Sequence, residues 1–242
     1  MLRYAGGKTR AIHILDKYIP EGTKEIVSPF LGGGSFELHL LTKRKCIVYA
    51  SDIYGPLIDF WMTMIYDRKE LIRCLRSKHP FTKEIYYQCK EGLRQEATSL
   101  DHAIQFFIVN RCCFSGCMSG GYTASRSPIS CIDKLEKINL TNLNVCLSDY
   151  EAQLAQHPET FAYLDPPYDV PNLYMSDNFN HERLAQVLRT RQSDWILCYN
   201  ETPRIRSLYE DFCEIIPLTW SYGMNASRRS NEILIRPRRI RC

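Results

Sequence analysis

EIVSPFLGGGSFELHLL, at residues 25–41, joins an apolar strand candidate to a helical segment through three consecutive glycines. Glycines at a strand-to-helix turn let the backbone come close to a ligand, as in the nucleotide sites of doubly wound α/β folds. These glycines match neither the dinucleotide pattern GxGxxG nor the phosphate-loop pattern GxxxxGK[ST]. We therefore expect a ligand that is not held by a polyphosphate, although a structural turn would also explain the glycines.

The next apolar strand candidate, CIVYAS at 46–51, leads directly into Asp52. A carboxylate at this place, about twenty residues after the glycine turn, accepts hydrogen bonds from ribose hydroxyls in nucleotide-binding α/β folds. The spacing therefore favours a nucleoside ligand. A carboxylate that only caps the following helix would look the same in the sequence.

Seven short runs of β-branched and apolar residues alternate with helical stretches along the chain. Several are nearly continuous apolar runs, which is typical of strands covered by helices on both faces. We predict an α/β fold with a mostly parallel, doubly wound sheet. The runs are EIVSPF at 25–30, CIVYASD at 46–52, NVCLSD at 144–149, FAYLD at 161–165, WILCYN at 195–200, CEIIPL at 213–218 and EILIRP at 232–237.

Between about residues 55 and 140 the strand patterns give way to amphipathic helical patterns, around 57–75, 83–97, 100–111 and 130–138. This region indicates an inserted helical unit. Its middle, CCFSGCMSGGYTASRSPIS at 112–130, is rich in Gly, Ser and Thr and predicts a loop. Long loops inside compact domains are usually functional.

Composition predicts a folded globular protein, with 242 residues, 45% hydrophobic and 24% charged. No apolar run has the length of a membrane span and the first residues hold no signal core, so we expect no membrane partner and a cytoplasmic location. We interpret the eleven scattered cysteines as reduced core residues. A zinc module is an alternative, with Cys112, Cys113, Cys117 and Cys131 as its candidate ligands. These cysteines lack the paired CxxC spacing of such modules, and we expect no metal.

The formal net charge of +4 does not identify a partner by itself. Arginines are concentrated near the C-terminus, where Glu232 is the only acidic residue among them. Such a cluster can neutralise phosphates along a groove, and a solvated basic tail is the alternative interpretation. The cluster consists of Arg228, Arg229, Arg236, Arg238, Arg239 and Arg241.

The strongest local signal is FAYLDPPYDV at 161–170, where a buried strand stops at Asp165, two prolines and Tyr168. The prolines fix φ and remove two backbone donors, which leaves the Pro166 carbonyl rigid and free to accept a hydrogen bond. With the Asp165 carboxylate it forms two acceptors that suit the two hydrogens of an exocyclic amine during methyl transfer. Tyr168 can stack on the base. A proline-rich strand exit is the structural alternative.

The order of motifs resembles that of the Dam-like DNA adenine-N6 methyltransferases over nearly the whole chain: RYAGGK at 3–8, PFLGGGS at 29–35, SD at 51–52, LSDY at 147–150 and DPPY at 165–168. The resemblance implies a Rossmann-like methyltransferase sheet of about seven strands, one antiparallel. It implies a catalytic domain that binds S-adenosylmethionine, formed by residues 1–54 and 141–242, and a mainly helical target-recognition domain at 55–140. The implied reaction is site-specific methylation of the N6 amine of an adenine flipped out of double-stranded DNA.

The same resemblance implies roles for individual residues. The donor S-adenosylmethionine, which becomes S-adenosylhomocysteine, would contact the N-terminal motif, the glycine turn and the LSDY segment, with Asp52 on the ribose and Asp149 and Tyr150 beside the adenine. The catalytic residues are Asp165, Pro166, Pro167 and Tyr168, and the cofactor-binding residues are Tyr4, Lys8, Phe30, Gly32, Gly33, Gly34, Asp52, Asp149, Tyr150 and Asp165.

Three further segments imply contacts to DNA. NRCCFSG at 110–116 and GGY at 120–122 resemble the family's DNA-reading loop, and RRSNEILI at 228–235 resembles its final hairpin strand. The implied DNA contacts are Arg111, Tyr122, Arg126, Arg228 and Arg229, the last two to phosphates. Tyr174 and Phe179 are candidates for packing against the flipped base.

The resemblance leaves the recognition sequence open, because SRSPIS at 125–130 differs from GATC-specific members. We expect a monomer, with a restriction endonuclease of the same specificity as a possible partner, in a bacterial, archaeal or phage-infected cell. The alternatives are methylation of cytosine N4, of RNA adenine or of a protein glutamine, whose enzymes usually carry Ser or Asn in place of Asp165. A DNA-binding regulator without the reaction is the alternative from another class.

Overall fold

The computed structural model describes residues 2, 8, 11–113, 118, 120–123, 129–169, 179–218 and 231–238. Seven strands lie where the sequence predicts them and form one sheet in the order β3-β2-β1-β4-β5-β7-β6. The strands are β1 Glu25–Ser28, β2 Ile47–Asp52, β3 Leu143–Leu147, β4 Phe161–Leu164, β5 Trp195–Asn200, β6 Cys213–Leu218 and β7 Glu232–Pro237.

The five strands β1 to β5 are parallel to one another, and β7 runs antiparallel to both β5 and β6. The chain places β2 and β3 on one side of β1, and β4 and β5 on the other. The order therefore reverses between β1 and β4, and ligands of such sheets bind outside the carboxyl ends of the strands at this switch point. The predicted doubly wound sheet with one antiparallel strand is confirmed.

Ten helices are found in the described parts of the chain. The helical patterns predicted between 55 and 140 are confirmed as α3 to α7, but the pattern at 57–75 is two helices that meet at Asp67, whose backbone is not helical. The helices are α1 Ile12–Leu15, α2 Ser35–His39, α3 Gly55–Tyr66, α4 Arg68–Lys78, α5 Lys83–Gly92, α6 Ser99–Cys112, α7 Ser130–Glu136, α8 Tyr150–Gln156, α9 His181–Thr190 and α10 Pro203–Tyr209. A 3₁₀ turn, Asp16–Tyr18, follows α1, and a π turn, Leu40–Arg44, follows α2.

The core covers both faces of the sheet, as the continuous apolar strands predict. Five successive residues of β5, from Trp195 to Tyr199, are buried. On one face, the core that contains Phe36 and Tyr163 continues into the buried residues of α3 and α6, including Trp61. The limits of the inserted unit at 55 and 140 stay a prediction. No described helix has the length and apolar character that a membrane crossing requires.

Most described cysteines are core residues, as expected. Seven of the nine are buried, whereas Cys74 is half-buried and Cys146 is exposed. The prediction is wrong for Cys146 because β3 is an edge strand and its outer face is open. Among the residues that the structure describes, no group of His, Cys, Asp and Glu could hold a metal ion; Cys117 of the proposed zinc module lies outside them.

Candidate active site

The glycine turn after β1 is held in place by a tryptophan from α3. Gly32 and Gly34 have φ of 46° and 64°, a region that favours glycine. A Cβ on Gly34 would lie 2.6 Å from Cζ2 of Trp61, and the indole Nε1 of Trp61 donates to the Gly32 carbonyl at 3.2 Å. Gly33 lies half-exposed between them. The turn therefore has a fixed shape, and Trp61 was not recognised as part of it from the sequence.

Asp52, at the end of β2, braces the same turn. Its Oδ2 accepts the Gly32 N–H at 3.1 Å and its Oδ1 accepts the Tyr54 N–H at 3.1 Å. Burial raises the pKa of Asp52, and these backbone hydrogen bonds oppose the rise. A carboxylate oxygen has two lone pairs, so both oxygens can still accept from a ligand. The predicted ribose contact is compatible with this bracing role and stays a prediction.

Two large apolar side chains are exposed beside Asp52. Ile53 is 69% exposed, and Leu147, which pairs with Asp52 in the β2–β3 register, is 61% exposed. Apolar surface at the carboxyl end of two parallel strands suits the face of a ligand ring. Neither residue was recognised from the sequence as part of the site, because each belongs to or directly follows a strand pattern in which an apolar residue is expected to be buried.

Three aromatic rings meet at the same edge of the sheet. Phe30 stacks on Tyr150 with centroids 5.6 Å apart, and Phe179 lies 5.7 Å from Phe30 and 5.8 Å from Tyr150. We call Phe30, Tyr150 and Phe179 the aromatic trio. The structure thus brings two predicted cofactor residues together with one predicted to face the target base. Asp149 is exposed and caps α8, with Oδ1 accepting from Glu151 and Ala152, so its cofactor contact stays untested.

Asp165, directly after β4, forms an ion pair with Lys8, 157 residues earlier in the chain. The Lys8 Nζ lies 2.7 Å from Oδ1 and 2.9 Å from Oδ2, and the Lys8 side chain is 2% exposed. Burial alone would lower the pKa of Lys8, but the neighbouring groups Asp165, Cys198 and Glu232 together outweigh burial and raise it. Burial raises the pKa of Asp165, and the contact with Lys8 opposes that rise. The pair therefore places a buried, lysine-paired carboxyl group at the carboxyl edge of the sheet. Pro166 is buried and Pro167 half-buried beside it.

Tyr168 is more enclosed than the sequence suggested. The residue is 8% exposed, its ring centroid lies 6.2 Å from that of Tyr199, and Lys8 Nζ lies 4.8 Å from the Tyr168 centroid. Its hydroxyl donates to Oε2 of Glu232 at 2.6 Å. In this conformation Tyr168 therefore offers little open ring face to a base. The predicted stacking of Tyr168 on the base stays a prediction. From the sequence, Glu232 was recognised only as the single acidic residue within the C-terminal arginine cluster.

The residue after the tetrad is fastened to the end of β5. The Asp169 N–H donates to Oδ1 of Asn200 at 3.0 Å, and Nδ2 of Asn200 donates back to the Asp169 carbonyl at 3.2 Å. The Asp169 carboxylate accepts from Thr202 and Arg204, each at 3.0 Å. Four hydrogen bonds thus hold one end of the tetrad, although the partners are more than thirty residues apart in sequence.

A second carboxylate lies buried below the glycine turn. Oε1 of Glu37, in α2, accepts the Ser28 hydroxyl at 2.6 Å, and Glu37 is 3% exposed. Burial raises the pKa of Glu37 to about 7, with the Ser28 hydrogen bond opposing the rise. Glu37 could not be recognised as a buried carboxylate from the sequence, because an acidic residue in a helix is normally expected to face solvent.

Two predicted DNA contacts lie on the helical insertion. The Arg111 guanidinium donates to the Cys131 thiol at 2.8 Å, and the Tyr122 hydroxyl donates to the Phe81 carbonyl at 2.8 Å. The hydroxyl of Tyr86 donates to the carbonyl of Gly120 at 2.7 Å, and so does Lys90 Nζ. These bonds anchor the described part of the loop to its helices, and the DNA contacts stay predictions. Tyr4, Arg126, Tyr174, Arg228 and Arg229 lie outside the described residues.

The described arginines of the C-terminal cluster are paired within the protein. Arg236 bonds to Glu214 at 2.7 Å across the β6–β7 pair. Arg238 donates to the Glu210 and Asp211 carbonyls at 2.6 and 3.3 Å. These two residues therefore stabilise the sheet edge, and the phosphate hypothesis now concerns the other members of the cluster.

Comparison with known proteins gives a family match over most of the chain. Residues 4–224 match the family described as D12 class N6 adenine-specific DNA methyltransferase. Type II methyltransferase M.CviBI of Paramecium bursaria Chlorella virus NC1A is 23% identical over 228 residues, which cover 88% of this chain and 86% of that protein. Retron Ec67 DNA adenine methylase of Escherichia coli is 27% identical over 259 residues, covering 97% and 90%. The solved precorrin-6y C5,15-methyltransferase of Geobacter metallireducens GS-15 aligns with a TM-score of 0.45 at 8% identity, over 94% of this chain and 86% of that one.

Proposed function

This chain belongs to the D12 class of N6 adenine-specific DNA methyltransferases, and on that premise we propose that it methylates the N6 amine of an adenine flipped out of double-stranded DNA. The observation that carries the proposal is the ion pair between Lys8 and Asp165. It joins the amino-terminal motif to the tetrad at the carboxyl end of β4, beside the switch point of the sheet.

The residues at this edge fit the methyl donor of the family, S-adenosylmethionine, which supplies an electrophilic methyl group when bound. The glycine turn lets the backbone approach a ligand, and Asp52 carries acceptor oxygens suited to ribose hydroxyls. Phe30, Tyr150 and the exposed Ile53 offer apolar and aromatic surface for a purine. These groups come from the ends of adjacent parallel strands, so one ligand can reach all of them.

Two acceptors act on the target amine. The Asp165 carboxylate and the Pro166 carbonyl accept its two hydrogens, which favours the pyramidal nitrogen that forms as the methyl group arrives. Lys8 orients the Asp165 carboxylate and favours its ionised form, against the effect of burial. Asn200 fixes the chain just beyond the tetrad, so the two acceptors keep one mutual geometry.

The helical unit at 55–140 is proposed as the target-recognition domain, and residues 1–54 and 141–242 as the catalytic domain. The anchoring of Gly120 by α5 supports this division, because a reading loop needs a rigid base. Arg111, Tyr122 and Arg126 are assigned as DNA contacts of the recognition loop, and Arg228 and Arg229 as phosphate contacts.

We further propose that the protein acts as a monomer. We also propose that a restriction endonuclease of the same sequence specificity is the partner of this protein. The name of one relative, a type II methyltransferase, supports this proposal. Because the substrate is DNA, we place the reaction in the cytoplasm of a bacterial, archaeal or phage-infected cell.

Expression in a host whose DNA lacks N6-methyladenine tests the proposal. Sequencing that detects modified bases should find N6-methyladenine in one short sequence context of the host genome. The variant Asp165→Ala should leave the genome unmodified at the same expression level. Methyl groups found on cytosine, RNA or protein, with unmodified adenine in DNA, would reject the proposal.

A further inference from the structure

The antiparallel strand β7 delivers an acidic residue to the catalytic edge of the sheet. Parallel strands present their last residues at this edge, whereas β7 runs in the opposite direction and presents its first residue, Glu232. In the register, Glu232 lies beside Asn200 of β5 and Leu218 of β6. The direction of one strand therefore determines that a carboxylate, and not the far end of β7, lies next to the tetrad.

Glu232 contacts two members of the site with one oxygen. Its Oε2 accepts the Tyr168 hydroxyl at 2.6 Å and lies 3.6 Å from Lys8 Nζ. The Glu232 side chain is 14% exposed. Lys8 Nζ thus has two carboxylates close to it, since Asp165 Oδ1 lies 2.7 Å away, and the centroid of the Tyr168 ring lies 4.8 Å away.

These contacts link the two ends of the tetrad. A hydrogen bond to an ionised acceptor is short and stronger than a neutral one, so the Tyr168 hydroxyl is held firmly. The same charge attracts the ammonium of Lys8, which in turn orients Asp165. Removing the carboxylate would take one hydrogen-bond acceptor from the Tyr168 hydroxyl and one acidic partner from Lys8, so both ends of the tetrad would lose a restraint.

We propose that Glu232 is a positioning residue for methyl transfer: its carboxylate holds Tyr168 and Lys8 in the arrangement that presents Asp165 and Pro166 to the target amine. This inference rests on the proposed function. Glu232 acts through its neighbours and not on the substrate, so its loss should slow the chemical step more than it weakens ligand binding.

The test measures the single-turnover rate of methyl transfer to duplex DNA, together with the dissociation constants of the DNA and of S-adenosylhomocysteine. The variants are Glu232→Gln, Glu232→Ala, Tyr168→Phe and the double change Glu232→Ala with Tyr168→Phe. Glutamine keeps the size and an acceptor for the Tyr168 hydroxyl but loses the charge. Glu214→Gln is the matched control, because Glu214 lies on β6 in the same sheet, half-exposed and paired only at the surface with Arg236.

Glu232→Ala should lower the transfer rate about tenfold to a hundredfold, the range for a lost charge-assisted hydrogen bond, while both dissociation constants change less than about threefold. Glu232→Gln should recover part of the rate, and Glu214→Gln should match the wild type. The double variant should be no slower than Glu232→Ala alone, because both changes break the same contact.

Wild-type transfer in Glu232→Ala would overturn the inference and leave the proposed function standing. Rate and S-adenosylhomocysteine affinity falling together, or rate losses that multiply in the double variant, would also overturn it, because they indicate general structural damage or independent roles. A wild-type protein that transfers no methyl group to duplex DNA would refute the proposed function, and the inference with it. If Glu232→Ala does not fold, the near-isosteric variant Glu232→Gln tests the inference instead. Its transfer rate should then fall more than its affinity for DNA and S-adenosylhomocysteine.

Discussion

Replacing Glu37 by glutamine should stabilise this protein above neutral pH and leave it unchanged in acid. Glu37 is 3% exposed and accepts the Ser28 hydroxyl at 2.6 Å. Glutamine has almost the same shape, and its carbonyl oxygen can accept the same hydrogen bond. The substitution therefore removes a buried charge with little change in packing.

The size of the effect follows from the pKa of Glu37, which burial raises from 4.5 to about 7 in the folded protein. Below pH 4.5 the carboxyl group is protonated in both the folded and the unfolded chain, and folding carries no penalty. As the pH rises from 4.5 to 7 the unfolded chain loses this proton first, so the free energy of unfolding falls. Above pH 7 the loss is constant at about 3 kcal/mol.

Urea unfolding at pH 4 and pH 8 measures the prediction. Glu37→Gln should raise the free energy of unfolding by up to about 3 kcal/mol at pH 8 and by almost nothing at pH 4. Ser28→Ala is the complementary control: it removes the hydrogen bond that opposes the raised pKa, so it should destabilise the protein more at pH 8 than at pH 4. A gain from Glu37→Gln that is equal at both pH values would refute the reasoning, because a packing effect does not depend on pH.

Gly34→Ala should destabilise the fold by about 1–3 kcal/mol in thermal or urea unfolding, because its Cβ would meet Trp61 and φ is positive there; unchanged stability would contradict the fixed turn. Asn200→Ala removes both hydrogen bonds to the residue after the tetrad, and should slow methyl transfer about tenfold with the donor's affinity retained; a loss of affinity alone would contradict the positioning role. Arg228→Ala should weaken binding to all DNA sequences and lower its salt dependence, whereas Arg126→Ala should change sequence preference. The reverse pattern in binding assays would show that the two roles are exchanged.

The fold was predictable because its strands are covered on both faces. Continuous apolar runs such as WILCYN, which is buried from Trp195 to Tyr199, mark such strands wherever they occur. The order of the strands in the sheet could not be predicted from the sequence. The two helices that meet at Asp67 were predicted as one helical pattern at 57–75, because the amphipathic pattern continues through Asp67. Edge strands also escape such reasoning, as the exposed thiol of Cys146 illustrates.

The site was predictable only where residues share a motif. Lys8 and Asp165 each stand in a recognisable segment, and the structure brings them together. Glu232 and Asn200 were not recognised because their roles depend on strand direction and on partners far away in sequence. The burial of Tyr168 was also not expected from its motif, and its contact with the target base stays a prediction.

The most direct test of the central claim uses purified protein, duplex DNA that contains all four bases, and S-adenosylmethionine labelled in the methyl group. After transfer, the DNA is digested to nucleosides, which are separated and identified by mass spectrometry. We predict that the wild type places the label in N6-methyl-2′-deoxyadenosine. The variant Asp165→Ala should place no label there, although its circular dichroism spectrum shows that it is folded like the wild type. Label in N4-methylcytosine, or equal label from both proteins, would contradict the account.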